Sequence, residues 1–256
     1  MRFGIIFAIP NETAHLQEFL DIEKTSEKAG LLFQEGKLEQ QSIVLVEGGM
    51  GKVNAAVVTT LLVEKFGCDF ILFSGIAGGL SPQRSIGDVI LGEKLIQYDY
   101  GIQSAGEFTC YQPGHLPIHE PTERLGYKPS GKPFEQALEA LQELALPVIS
   151  AEAAGGQPRQ PEIYRGTILT GDLFLDCVET RERLHAQHNA DCVEMEGAAV
   201  AQVCERFGKD FLIIRSLSDL AGAQSNGMDF MAFLHETGAG AALSLRCILR
   251  AFGNAW

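Results

Sequence analysis

The constraint that bears hardest on this chain is a set of short, continuous apolar runs, each ending in polar or glycine-rich sequence. Residues 211–214 (FLII) lead into Arg215-Ser216-Leu217-Ser218-Asp219, and residues 3–9 (FGIIFAI) into Pro10-Asn11-Glu12. Residues 69–73 (DFILF) lead into Ser74-Gly75-Ile76-Ala77-Gly78-Gly79, and residues 166–170 into Gly171-Asp172-Leu173-Phe174. Unbroken runs of this length mark strands buried on both faces rather than half-wet ones. Between them lie segments with helical spacing, such as Ala199, Val200, Val203 and Phe207. Strands alternating with helices predict an α/β protein, with a central mixed twisted β-sheet flanked by helices. Ligands in such sheets gather at the carboxyl ends of strands, so the polar groups there are the candidates for chemistry.

The remaining pattern fills in around these strands. A helix is predicted from Glu12 to about Gly30, with Leu16, Phe19, Leu20 and Ile22 on its apolar side. Residues 31–38 and 41–47 read as a hairpin. Gly48-Gly49-Met50-Gly51-Lys52 then turns into a helix reaching about Phe66; Val53 stands where a Walker loop needs Ser or Thr, so this is not that phosphate cradle. The stretch 74–79 is expected as a loop, and residues 87–91 and 94–98 as strands. The segment 101–161 is the least regular, rich in Pro, Gly, His and Glu, with one helix at 133–144 carrying Leu138, Leu141 and Leu144. His115 and His119 are four apart, but Pro113 and Pro117 exclude the helix that would align them, so no metal site is expected. A polar helix at 179–187 and a closing amphipathic helix from Asp229 complete the chain. Without repeats or a linker, residues 1–256 read as one domain with an elaboration at about 105–160.

Composition excludes whole classes. The net charge is −13 and none of the 20 basic residues forms a run, which argues against a nucleic-acid surface. The six cysteines are scattered without zinc spacing and read as thiols of a reducing compartment. The N-terminus lacks a secretory pattern, and no apolar run nears the ~20 residues of a membrane span. The expectation is a soluble cytoplasmic protein.

Two carboxylate clusters stand out, Glu194-Met195-Glu196 and Arg215 to Asp219. Taken singly, each has an ordinary alternative: acids in a helix's first turn, where the helix dipole favours them, and a surface ion pair. Glu12, at a strand-to-helix turn, has the same alternative. Asp172 and Asp176 read as turn and cap residues, and Glu194 is left without a role.

Six motifs then occur in a fixed order: Glu12, GGMGKVNAA at 48–56, SGIAGGL at 74–80, TGDLF at 170–174, VEMEGAA at 193–199 and RSLSD at 215–219. In this order they resemble the nucleoside phosphorylase/nucleosidase superfamily, in particular its 5′-methylthioadenosine/S-adenosylhomocysteine nucleosidases, over nearly the whole chain except roughly 105–160. The resemblance implies hydrolysis of the N-glycosidic bond of a purine nucleoside, releasing adenine and a 5′-thio-ribose, with a place in methionine salvage. It implies Asp219 as the general acid to purine N7, Ser218 as the residue holding that acid, and Arg215 near the water and ribose. Glu196 is implied to take the ribose hydroxyls above Met195, and Glu12 to activate water. Phe174 is implied to stack on the base, Leu175 to lie at its edge, and Met50, Phe230 and Phe233 to wall the 5′ pocket. Ile76, Ala77 and Gly78 are implied to present backbone to the ligand. No cofactor or metal is implied, and the expected partner is a second copy of the chain in a homodimer.

The roles agree with the chemistry. Breaking a C–N glycosidic bond develops positive charge on the sugar and negative charge on the purine, so an acid at the base and carboxylates at the sugar each meet charge where it forms. A phosphorylase must instead hold a dianion, which calls for arginines and oriented amides. Here Glu12 occupies the turn, and Phe73 the position before the glycines, where hexameric phosphorylases carry arginines. That points to water as the nucleophile. Ile76 stands where a serine is common and Gly222 where an acid is common, so three alternatives stay open: a phosphorylase, a nucleosidase for another purine nucleoside such as futalosine, and a non-catalytic nucleoside binder.

Overall fold

A computed structural model describes residues 1–253, apart from residues 117, 121, 122 and 223–226 and the side chains of residues 11 and 227–233. In chain order the elements are β1 (Arg2–Phe7), β2 (Leu20–Lys28), β3 (Leu31–Leu38), β4 (Gln41–Glu47), α1 (Lys52–Glu64), β5 (Phe70–Gly79) and β6 (Val89–Gln97). There follow β7 (Gly101–Ser104), β8 (Glu107–Cys110), α2 (Gly131–Gln142), β9 (Ile163–Thr170), α3 (Val178–His188), β10 (Cys192–Glu194), α4 (Gly197–Phe207), β11 (Asp210–Asp219) and α5 (Gly227–Gly253).

Nine strands form one mixed sheet in the order β10-β9-β6-β11-β5-β1-β4-β3-β2, and β10 also pairs with β5. The apolar runs sort by alternation. Phe3, Ile5, Leu72, Leu212 and Ile214 face one side, where α2 and α5 supply Phe134, Leu141, Leu245 and Leu249. Ile6, Ile71, Phe73 and Ile213 face the other, where α1 and α4 supply Val58, Leu62, Val200 and Cys204. Burial on both faces is what the unbroken runs require.

The position of the site follows from a change of partner along β5. Residues 70–73 pair in parallel with β1. Beyond them β1 ends and β5 continues alone on that edge, until Gly78 and Gly79 pair antiparallel with β10. Its other edge stays paired with β11 throughout, from Phe70 to Gly78. A crevice therefore opens at the carboxyl ends of β1, β5 and β11, where one strand loses a neighbour on one side.

Several expectations need correction. The helix predicted from Glu12 to Gly30 does not form: 3-10 turns at Pro10–Glu12 and Gln17–Phe19 lead into edge strand β2. Leu16 is buried but Phe19 is exposed, so the helical spacing was coincidental. The charges of β2 instead pair across the ladder, Lys24 with Glu35 at 3.2 Å and Glu23 with Lys37 at 3.7 Å, and a charged edge strand resists unwanted pairing. The stretch 74–79 is strand, not loop, because the β11 ladder, joined by β10 at Gly78 and Gly79, holds it despite its glycines. Residues 87–91 and 94–98 are one strand, β6, with an irregularity between Gly92 and Lys94. The irregular segment contains a separate two-stranded sheet of β7 and β8, and the helix expected at 133–144 is α2. His115 stacks on Tyr111, and among the described residues no cluster could hold a metal ion.

Candidate active site

The crevice, about 610 Å³ with the space open to solvent at its mouth included, gathers residues from every motif. Its first acid, Glu12, sits in the 3-10 turn that follows β1 and is buried. Glu12 Oε2 accepts the backbone N–H groups of Ala8 at 2.8 Å and Ile9 at 3.2 Å. Glu12 Oε1 accepts the Ile76 N–H at 3.1 Å, the edge donor left free where β1 ends. Burial pushes its carboxyl above the usual range, while Arg215 and these amides pull it back. Gly75 makes this geometry possible, because a Cβ there would collide with both Glu12 and Arg215.

Arg215 lies on β11 beneath the crevice, 1% exposed, with its guanidinium 3.9 Å above the centre of the Phe73 ring. Its Nε donates to Glu194 Oε2 at 3.1 Å and its Nη2 bonds the same oxygen, while Nη2 lies 3.5 Å from Glu196 Oε2. Arg215 therefore does not form a surface ion pair with Asp219, the ordinary alternative for that cluster; it serves the other cluster. Glu194, given no role from the sequence, is the main anchor of that cluster. It also accepts from Thr170 Oγ1 and from the backbone N–H of Glu196 and Gly197. A signal existed: a guanidinium directly after four apolar strand residues is buried, and a buried cation needs a carboxylate.

Glu196, just before α4, accepts the Gly51 N–H at Oε1 over 2.8 Å. Burial and the neighbouring Glu194 push its carboxyl up to about 7, against the pull of Arg215. Asp219 ends β11 at the opposite side of the crevice. Ser218 Oγ donates to its Oδ2 at 2.8 Å and the Ala221 N–H to its Oδ1 at 2.8 Å. Burial raises its carboxyl, and the hydroxyl and amide offset this in part.

Apolar groups complete the walls. Ile76, Ala77 and Gly78 of β5, with Leu175 and Met195, line the crevice. Met50 and Phe174 stand on its rims, 60% and 63% exposed, and Leu173 joins them there. The side chains of Phe230 and Phe233 lie outside the described residues. Among the described lining residues, four are carboxylates (Glu12, Glu194, Glu196 and Asp219) and none is Lys, Arg or His.

A sequence profile described as the phosphorylase superfamily matches residues 2–252 of this chain. The chain belongs to that superfamily. Among superfamily members, the 5′-methylthioadenosine/S-adenosylhomocysteine nucleosidase of Mycobacterium tuberculosis is 47% identical over 247 residues, covering 96% of this chain and 95% of that one. The nucleosidase of that name from Colwellia psychrerythraea, solved with adenine, superposes with a TM-score of 0.81 at 30% identity, over 98% of this chain and 95% of that one. The futalosine hydrolase of Helicobacter pylori superposes with a TM-score of 0.78 at 28% identity, over 97% of each chain. The superfamily match spans the irregular segment as well, which the motif resemblance alone did not reach.

Proposed function

We propose that this protein is an N-glycosyl hydrolase that cleaves 5′-methylthioadenosine and S-adenosylhomocysteine, releasing adenine and the 5′-thio-ribose. The observation that carries this reading is the cleft lined by four carboxylates and, among its described residues, by no cationic side chain. Such a wall offers an inorganic phosphate dianion no cation to pair with, and suits water. Arg215 does not alter this, since Glu194 and Glu196 already hold it below the floor.

In this reading the base stacks on Phe174 with its edge toward Asp219, and the sugar lies between Met195 and Glu196. Asp219 gives its proton to purine N7 as the C–N bond lengthens, so adenine leaves neutral. Glu196 grips the ribose hydroxyls, fixing the sugar for attack. Glu12 orients water and takes its proton as oxygen bonds to the anomeric carbon, where the sugar carries positive charge. The chemistry calls for no metal or organic cofactor.

A second copy of the chain would complete the rim. Val53 and Val57 lie exposed one turn apart on α1, shortly after Met50 in sequence, and Leu173 and Phe174 are exposed on the other rim. Covering such a surface suits a homodimer. All six cysteines are free thiols, as a reducing cytoplasm would keep them, and the products would enter methionine salvage.

The test follows adenine and sugar release from 5′-methylthioadenosine with and without phosphate. Phosphate-independent adenine with free methylthioribose is expected. Strict phosphate dependence sinks the hydrolase, and release from futalosine alone reassigns the substrate. Light scattering on the same sample would show a dimer; a strict monomer removes that part of the reading.

A further inference from the structure

The reaction just described makes no use of Lys52, Asp99 and Asp172, yet these three tie the two rims of the cleft together. Asp172 Oδ1 accepts the backbone N–H of Lys52 at 2.9 Å, and its Oδ2 lies 3.6 Å from Lys52 Nζ. Lys52 Nζ donates to Asp99 Oδ1 at 2.6 Å, and Asp99 Oδ2 accepts the backbone N–H of Asp172 at 3.0 Å. The ring is closed: one rim begins α1, the other follows β9, and Asp99 stands behind both.

This arrangement solves a local problem. The first amides of a helix have no intrahelical acceptor, and a side chain at the preceding residue usually supplies one. Here that residue is Gly51, which has no side chain and a φ of 97° that few others adopt. Asp172, 120 positions away, provides an acceptor for the first of these amides, that of Lys52, from across the cleft. A Cβ on Gly51 would meet Asp172 Oδ1 at 3.3 Å, so the carboxylate rests directly over that glycine. The adjacent amide, Gly51 N–H, is the one that donates to Glu196 Oε1 at 2.8 Å. Neighbouring amides of a single turn are thus divided between Asp172 and Glu196.

The geometry points to Asp172, supported by Lys52, as a positioning residue that holds the Gly51 N–H against Glu196 and fixes the rim bearing Phe174. The inference rests on the nucleosidase reading for what Glu196 grips, and adds to it how that grip is set. Glu196 is faced by Glu194 from β10, Arg215 from β11, Glu12 from the turn after β1, and the Gly51 amide from the start of α1. Of these, the amide is the one the Asp172 ring controls. A donor to a carboxylate favours its ionised form, so losing that donor makes Glu196 easier to protonate.

The test compares the pH dependence of kcat/KM for 5′-methylthioadenosine in the wild type, Asp172→Ala and Asp172→Asn. In Asp172→Ala the acid limb set by Glu196, whose carboxyl is pushed up to about 7, moves up by about one unit, and kcat/KM at pH 7 falls about fivefold. Asp172→Asn keeps an oxygen for the Lys52 N–H and leaves the limb close to its wild-type place. A limb that stays put in Asp172→Ala while activity drops equally at every pH makes Asp172 a mere brace and overturns the proposal. Should Asp172→Ala not fold, Asp172→Ser, too short to span to Lys52, replaces it with the same two outcomes. Amide hydrogen exchange at Gly51 and Lys52, measured without substrate, decides the clamp independently. Protection lost in Asp172→Ala and kept in Asp172→Asn supports it, and unchanged protection in Asp172→Ala defeats it. A wild type that releases no adenine sinks the nucleosidase reading, and the exchange result still stands.

Discussion

The two ends of the cleft treat a buried carboxylate in opposite ways. At the sugar end, Glu12, Glu194 and Glu196 crowd around one guanidinium, Arg215, and each also takes backbone amides. At the base end, Asp219 has only a hydroxyl and one amide, with no cation bonded to it among the described residues. Charge is neutralised in the first place and withheld in the second. A carboxylate that must accept hydrogen bonds from a sugar benefits from a cation beneath it. One that must deliver a proton benefits from its absence, since burial then favours the protonated form.

Asp219→Asn breaks the contrast most severely. The amide cannot deliver a proton, and kcat is expected to fall about a thousandfold, with thermal stability little changed, as read by steady-state assay and a melting curve. Arg215→Met strikes the other end. It leaves Glu194 and Glu196 buried without their cation, and denaturant unfolding should show a loss of about 3–5 kcal/mol. If that variant kept wild-type stability, the sugar end would owe its order to amides alone. Ser218→Ala sharpens the comparison with the smallest effect. The Ser218 hydroxyl favours ionised Asp219, so removing it raises the Asp219 pKa. The acid form then persists to higher pH, and the alkaline limb of the rate profile should move upward by less than about one unit. A downward move would mean that the hydroxyl bonds the protonated acid instead.

How much of this could be read from residues alone follows the same division between local and distant causes. The cores of β1, β5, β9 and β11 were legible because a strand buried on both faces writes itself as an unbroken apolar run. Asp219, Glu12 and Glu196 were legible as candidates because they follow such runs or open a helix. The second half of β5 was not: SGIAGG looks like a loop, and only the β11 and β10 ladders, contributed from over a hundred residues away, make it strand. The edge strand β2 reads as helix in the sequence because charged residues on a wet edge carry little strand periodicity. Glu194 and Asp172 escaped for a common reason. Their partners, Arg215 and Lys52, are brought to them by the sheet, and nothing in their own neighbourhood marks the debt.

The glycine-rich half of β5 has a consequence for binding entropy. Ile76, Ala77 and Gly78 are fixed by β11, and Gly78 also by β10, before any ligand arrives. Immobilising a free backbone costs about 1–2 kcal/mol per residue, and along this wall that cost was met during folding. Among the described residues, what remains to be ordered on binding lies in exposed side chains such as Met50, Leu173 and Phe174. Discrimination between one 5′ substituent and another therefore falls to the exposed brim, while the hard side of the cleft contributes the same rigidity to every ligand that enters.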